Sequence, residues 1–173
     1  MQNKRTNRVH ALDQVDCEIV RLLQMDGRLS NTKIATKIGV SEATVRTRLN
    51  RLINNGVIQV VAIGNPFKLG FGVSGVVRIR VAVKSVESVI RQLTKIKEIW
   101  DIALATGSTD IDTEFHVRSR EDLNALIFDK ITKIPGIIQM DSSLILRFAK
   151  RDYEWGTAWT QDPKRIASRV TSV

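Results

Sequence analysis

Residues 30–60, SNTKIATKIGVSEATVRTRLNRLINNGVIQV, constrain this chain more than any other stretch. Ser30 is a helix N-cap, and Ile34, Ala35 and Ile38 behind it share one apolar face. Gly39 supplies the left-handed residue that ends this first short helix. Ser41 caps the next one, with apolar Val40 just outside it and Glu42 in the first turn, where the helix dipole favours negative charge. Val45, Leu49, Leu52 and Ile53 then recur at helical spacing and define the buried face. Asn54-Asn55-Gly56 stops the helix, and the β-branched run 57–63 reads as a wing strand. Helix, tight turn, helix and β-ribbon form the outline of a winged helix-turn-helix, which lays its second helix in the DNA major groove.

The exposed side of that second helix has the right chemistry for the task. At about 100° per residue, Ala43, Thr47, Asn50 and Arg51 lie opposite the buried face, and Thr44, Arg46 and Arg48 flank it. Hydroxyl, amide and guanidinium groups read base edges and hold phosphates. The candidate DNA contacts are therefore Ser41, Thr44, Arg46, Thr47, Arg48, Asn50 and Arg51, with Lys33 and Lys37 of the first helix as further phosphate contacts. Three arginines on an amphipathic helix are often only a solvated face. The complete order of cap, turn glycine, cap, basic helix and ribbon favours DNA over that reading.

Charge agrees. The chain has 27 Lys+Arg against 18 Asp+Glu, a net +9. Residues 1–63 hold ten basic and five acidic side chains, and residues 64–150 thirteen and ten, so positive charge is densest where the motif lies. Lys4, Arg5 and Arg8 make a polar N-terminal arm, either a backbone contact or a terminal leftover. No apolar run approaches the roughly 20 residues of a membrane span. The single cysteine, Cys17, excludes an intrachain disulfide framework and reads as a small buried hydrophobe in a helix over 13–25. Together these features imply a soluble protein of a reducing compartment, cytoplasmic.

Beyond Gly64-Asn65-Pro66 the pattern changes to alternating strands and helices. Strand-like runs cover 71–83, 99–105, 111–117 and 137–148, and helical runs cover 86–97 and 120–133. The order β-α-β-β-α-β is ferredoxin-like, a sheet with both helices on one side. The expected fold class is thus α+β: residues 1–63 a winged helix-turn-helix with a basic arm, 64–70 a linker, 71–150 a ferredoxin-like domain, and 151–173 an extension. In the first strand Val77, Ile79, Val81 and Val83 alternate with Arg78 and Arg80. In the third, Ile111, Phe115 and Val117 alternate with Asp110, Asp112, Glu114 and His116. Antiparallel pairing of these two strands predicts Arg78 and Arg80 opposite Asp112 and Glu114 on an open, charged face used for dimerisation.

Two sharper readings of this half are set aside. Asp110, Asp112, Glu114 and His116 share a face, but residues along one strand rarely converge on a metal and arginines adjoin them. Gly70-Phe71-Gly72-Val73-Ser74-Gly75 spells G-x-G-x-x-G, yet it runs into a strand rather than opening a helix, so no dinucleotide site is implied. The only histidines are His10 and His116, and no nucleophile–base–acid set is apparent. No cofactor, no metal and no enzymatic activity are expected.

The two halves together resemble one family. Leu12-Asp13 with Asp16 (LDxxD), Asp26-Gly27-Arg28 with Ser30 (DGRxS), the SxxTVRxRLxRL helix, Gly56 to Ile58 (GVI), Asn65-Pro66 with Leu69-Gly70 (NPxxLG), Thr106-Gly107 with Asp110 (TGxxD) and Pro135-Gly136 follow in order. This is similar to the Lrp/AsnC (leucine-responsive regulatory protein, feast/famine) regulators over roughly residues 12–150. The resemblance implies a DNA-binding transcriptional regulator of double-stranded DNA, with dimers formed through the sheet face and often octamers. It also implies an amino acid or similar small effector near the TGxxD turn, here Thr106, Gly107, Ser108, Thr109 and Asp110. Exposed amides and hydroxyls there suit a carboxylate, and Asp110 suits an ammonium; a plain hairpin is the alternative reading of the same turn. Asp112 and Glu114 depart from the usual apolar character of that strand. The Trp155 and Trp159 segment suggests docking on the chain's own domain or a neighbouring subunit, and the basic tail from Pro163 suggests disorder. Other functions compatible with the sequence are an architectural DNA-packing protein and a tetrapyrrole decarboxylase of related fold.

Overall fold

The computed structural model describes residues 12–158. The N-terminal arm with Lys4, Arg5, Arg8 and His10, Trp159, and the basic tail from Pro163 lie outside the described residues. Two compact units emerge: the described residues up to Ala62 together with those from Arg151, and residues Ile63–Lys150.

The first unit holds α1 (Gln14–Met25), α2 (Asn31–Ile38) and α3 (Glu42–Asn54). Each starts at a residue whose side chain satisfies a free helix N–H. The Asp13 carboxylate accepts from the Asp16 amide, Ser30 Oγ from Lys33, and Ser41 Oγ from Thr44. Gly39 ends α2 at φ 72°, the left-handed conformation that glycine adopts without a Cβ clash. A helix of eight residues is too short to persist alone, since isolated helices below roughly 12–15 residues are marginal in water. Burial holds α2 in place: Ile34 and Ala35 join Ile19, Val20, Leu22, Val45 and Leu52 in one core. Each fully buried Ile, Leu or Val there contributes about 1.5–3 kcal/mol.

The expected wing strand is a correction. Among the described residues nothing pairs with 57–63, and Val60 and Val61 are 50% and 66% exposed. The run has β propensity, but propensity describes how side chains fit a ladder, and among the described residues this stretch has no partner strand. The helix-turn-helix stands, and among the described residues the wing is not built as a strand. From the far end of the chain, Gly156 donates its N–H to Gln24 Oε1 of α1 (2.9 Å) and accepts from Gln24 Nε2 (3.2 Å). The Trp155 segment therefore packs with the helical unit.

The second unit is a four-stranded antiparallel sheet of β1 (Val73–Val81), β2 (Ile99–Leu104), β3 (Ile111–Val117) and β4 (Ile137–Leu144), in the order β2-β3-β1-β4. Helix α4 (Val86–Leu93) joins β1 to β2, and α5 (Arg120–Asn124) runs into a widened helical segment, Ala125–Ile131, before β4. There the Thr132 N–H reaches back five residues to Ile127. This is the βαββαβ arrangement. β3 has the expected bounds, whereas the other strands and the helices are shorter than the hydrophobic runs suggest, β4 stopping at Leu144 rather than 148.

Strict alternation positions everything that follows. In β3, Ile111, Thr113, Phe115 and Val117 are buried, while Asp112, Glu114 and His116 are not. Val77, Ile79 and Val81 of β1 face the helices with Val89, Leu93, Leu126 and Ile131, so Arg78 and Arg80 stand on the opposite, open face. Gly75 explains the false dinucleotide motif. A Cβ there would lie 2.5 Å from the Phe115 ring and 2.5 Å from the Ser143 carbonyl, so the glycine makes room for an aromatic core residue.

Candidate nucleic-acid interface and effector turn

Ser30, Gly39 and Ser41 place α3 behind a tight turn with one flank buried by Val45 and Leu52. The opposite side splits into two sets. Ala43, Arg46, Thr47 and Asn50 are all exposed and lie within an arc of about 100°. Arg46 is held only loosely, 3.7 Å from Glu42 one turn earlier. Lys33 and Lys37 of α2 are likewise exposed.

The other set is committed within the fold. Asp16 is 1% exposed, and its carboxylate takes Arg51 Nη2 at 2.5 Å and Arg48 Nη1 at 3.2 Å. Arg48 Nη1 also pairs with Asp13. The Asp13 and Asp16 side chains cap each other's backbone in a reciprocal box, which fixes both carboxylates for the two guanidiniums. The hydrogen bond from Arg48 holds the Asp13 carboxyl below the usual carboxylate range, with the Asp16 amide adding to it, and Asp13 in turn raises the Arg48 guanidinium. Arg48 and Arg51, read from the sequence as DNA contacts, thus tie α3 to α1. Arg51, half exposed, keeps one edge toward solvent; Arg48 does not stand free. Ser41 and Thr44 are occupied too, their hydroxyls 2.8 Å apart at the helix start. A signal for the clamp was present: Asp13/Asp16 and Arg48/Arg51 share the same three-residue spacing, so two helices could match charge for charge.

In the sheet unit, the 106–110 turn joins β2 to β3. Asp110 is committed to structure: its Oδ2 accepts the Val81 amide at 2.9 Å, its N–H donates to Ile79 and its carbonyl takes Ala105. Thr106 and Gly107 are exposed, Gly107 at φ 128°. Ser108 and Thr109 turn toward β1, where they help line a cavity of about 190 Å³ together with Arg78, Arg80, Gln139 and Asp141. Arg80 Nε donates to the Ser108 carbonyl at 3.0 Å, which pins the turn over the sheet.

The expected cross-strand pairs do not form. Register puts Arg78 opposite Asp112 and Val76 opposite Glu114. Yet among the described residues no ion pair joins Arg78 or Arg80 to either acid. Arg78 leans to the other neighbour, β4, with Nη1 3.3 Å from Ser143 Oγ and 3.8 Å from Asp141, and Asp112 accepts the Thr109 hydroxyl at 3.2 Å. At the far end of the same face His116 stacks on Trp100, ring centres 5.6 Å apart, with Phe71 at 5.8 Å. This aromatic group was not singled out from the sequence, because its members come from three separate segments. Among the described residues no three His, Cys, Asp or Glu side chains gather as a metal would need, and no helix is long and apolar enough to cross a membrane.

Known proteins match both units of this chain. The AsnC-type helix-turn-helix domain covers residues 12–53, and the Lrp/AsnC ligand binding domain covers residues 74–155. An uncharacterized HTH-type transcriptional regulator of Pyrococcus abyssi is 38% identical over 148 residues, 85% of this chain and 91% of that relative. The HTH-type transcriptional regulator Ptr1 of Methanocaldococcus jannaschii is 31% identical, covering 80% and 95%. Among solved structures, the leucine response regulatory protein of Mycobacterium tuberculosis superposes with TM-score 0.74 at 27% identity over 82% of this chain and 97% of that one. A Neisseria meningitidis transcriptional regulator in complex with L-Met shares the fold, with TM-score 0.74, 23% identity and coverage of 83% and 95%.

Proposed function

Because the chain belongs to the Lrp/AsnC family of transcriptional regulators, with a DNA-binding helix-turn-helix and a ligand-binding domain, we propose that it binds specific operator sequences and responds to an amino acid or related small metabolite. The observation that carries the reading is the division of labour on α3. Arg48 and Arg51 anchor the helix to α1, which leaves the exposed arc of Arg46, Thr47 and Asn50 to meet DNA. Thr47 and Asn50 are the base-reading residues; an asparagine amide matches adenine N6 and N7, and a threonine methyl suits thymine. Arg46, Lys33 and Lys37, with the outer edge of Arg51, hold phosphates.

Two copies pack through the open sheet faces, so two α3 helices address half-sites separated by about one helical turn or a multiple of it. The aromatic end of that face, around Trp100 and His116, suits such packing better than the charged end near the turn. The effector binds beside Ser108 and Thr109; that it is an amino acid is in keeping with the L-Met complex of the Neisseria regulator. By favouring one assembly over another it changes DNA affinity, and by linkage DNA changes the effector's affinity equally. The test is operator titration at several salt concentrations. Arg46→Ala is expected to weaken binding about tenfold and to lower the salt slope by about one. Unchanged affinity and slope would remove α3 as the reading helix.

A further inference from the structure

The cavity beside the turn has a charge pattern that goes further than its position. We propose that it takes an acidic amino acid, one carrying a second carboxylate on its side chain. This rests on the reading that the 106–110 turn is the effector site, and deepens it to a ligand class.

About 190 Å³ has room for an amino acid and is below the roughly 300 Å³ at which drug-sized ligands begin. Besides Met140, the residues that line the cavity all carry polar or charged groups. The charged groups are Arg78, Arg80 and Asp141, two cations to one anion. A zwitterion places its ammonium on Asp141 and its α-carboxylate on one guanidinium. The second guanidinium is then covered by the ligand without a counter-charge, which is costly unless the ligand supplies one. A side-chain carboxylate does, and completes the pairing.

Both arginines are positioned for it. Arg80 is held by Nε and Nη2 on the Ser108 carbonyl, which orients the fork and leaves Nη1 for a ligand oxygen. Arg78 is two residues along the same face of β1, and its 3.8 Å approach to Asp141 is loose enough to yield to a better partner. Asp112 lies across from Arg78 but outside the lining, and its Oδ1 accepts the Thr109 hydroxyl. It does not supply the missing counter-charge inside the cavity. Asp110, the acid the sequence suggested for the ammonium, has its Oδ2 on the Val81 amide; Asp141 replaces it in that role.

Isothermal titration of the full chain with L-glutamate, L-aspartate, L-glutamine, L-asparagine and L-leucine decides the matter. The acids are expected to bind at least about tenfold more tightly than their own amides, because a charge-assisted pair is lost in each amide. Arg78→Gln should erase that ratio while melting normally; it makes no bond to the turn, whereas Arg80→Gln would also release Ser108. If Arg78→Gln does not fold, the acid-to-amide ratio of the unmodified protein still decides. Equal or tighter binding of an amide or of leucine overturns the acidic class and leaves the effector site standing. No binding of any of the five overturns both.

Discussion

In the helical unit a carboxylate with 1% exposure holds two arginines that arrive from a helix more than thirty residues further along the chain. In the sheet unit two arginines of β1 stand on an open face and touch a serine hydroxyl, a turn carbonyl and a distant carboxylate. The same residue type serves opposite ends. Where Arg48 and Arg51 meet Asp16, low exposure strengthens the attraction and makes removal of either side expensive, so the charges fix how α1 and α3 pack. Where Arg78 and Arg80 lie, water competes for every pair, so these contacts hold the two groups only weakly. Basic residues count as functional only after those with an acid inside the fold have been subtracted.

The contrast can be broken most severely from the core that supports the open face. Phe115→Ala removes a fully buried ring that β1 accommodates by having glycine at position 75, and is expected to cost about 3–5 kcal/mol. Chemical unfolding should show the sheet unit lost first; an unshifted midpoint would mean that Phe115 is not the keystone of that core. Next in size, Asp16→Ala should lower stability by roughly 2 kcal/mol, since two charge-assisted hydrogen-bond sets vanish while the arginines, partly exposed, regain some water. Thermal melting checks it.

A smaller and sharper test sets neighbours on α3 against each other. Arg48→Ala should depress melting through loss of the clamp. Arg46→Ala, 61% exposed at its side chain, should leave melting within about 0.5 kcal/mol and weaken operator binding instead. Reversal of these two outcomes would exchange their roles. The smallest effect is the pH dependence. Asp13 is held below its ordinary 3.8 chiefly by Arg48, and Glu98 below 4.5 chiefly by Lys130. A depressed carboxylate stabilises the fold above its unfolded-state pKa, and that contribution is lost as pH falls through the folded-state value. Melting temperature should therefore be insensitive to these groups from neutral pH to about 5 and decline below about 4 in both units. A rise on acidification would contradict both pairings.

Much of this architecture is legible locally. Ser30, Gly39 and Ser41 mark helix boundaries because caps and left-handed glycines act within three or four residues, and all three do so here. Period-two alternation in 111–117 placed β3 and its two faces without error, since side-chain direction along a strand follows from the pleat alone. What was not legible is which partner each charge takes. The four-residue run Arg78 to Val81 fixes which face Arg78 is on, but a choice between Asp112 of β3 and Asp141 of β4 depends on rotamers and on Thr109 taking up Asp112. Asp16 and Arg51 lie 35 residues apart, and their matched spacing identifies them as partners only once α1 and α3 are known to pack. The strand expected at 57–63 failed for a related reason: a strand is a property of a pair, and one segment's propensity is half of it.

In the function proposed above, the exposed arc of α3 reads a symmetric operator and an effector at the 106–110 turn tunes that reading. Sequencing of random DNA fragments selected by the purified protein, with and without amino acids, tests it most directly. The expected result is enrichment of a two-fold symmetric site whose profile shifts when an amino acid is added, and whose preference relaxes at defined positions in Asn50→Ala. Flat enrichment despite tight, salt-sensitive binding, unchanged by every amino acid, would contradict it and describe a DNA-packing protein instead.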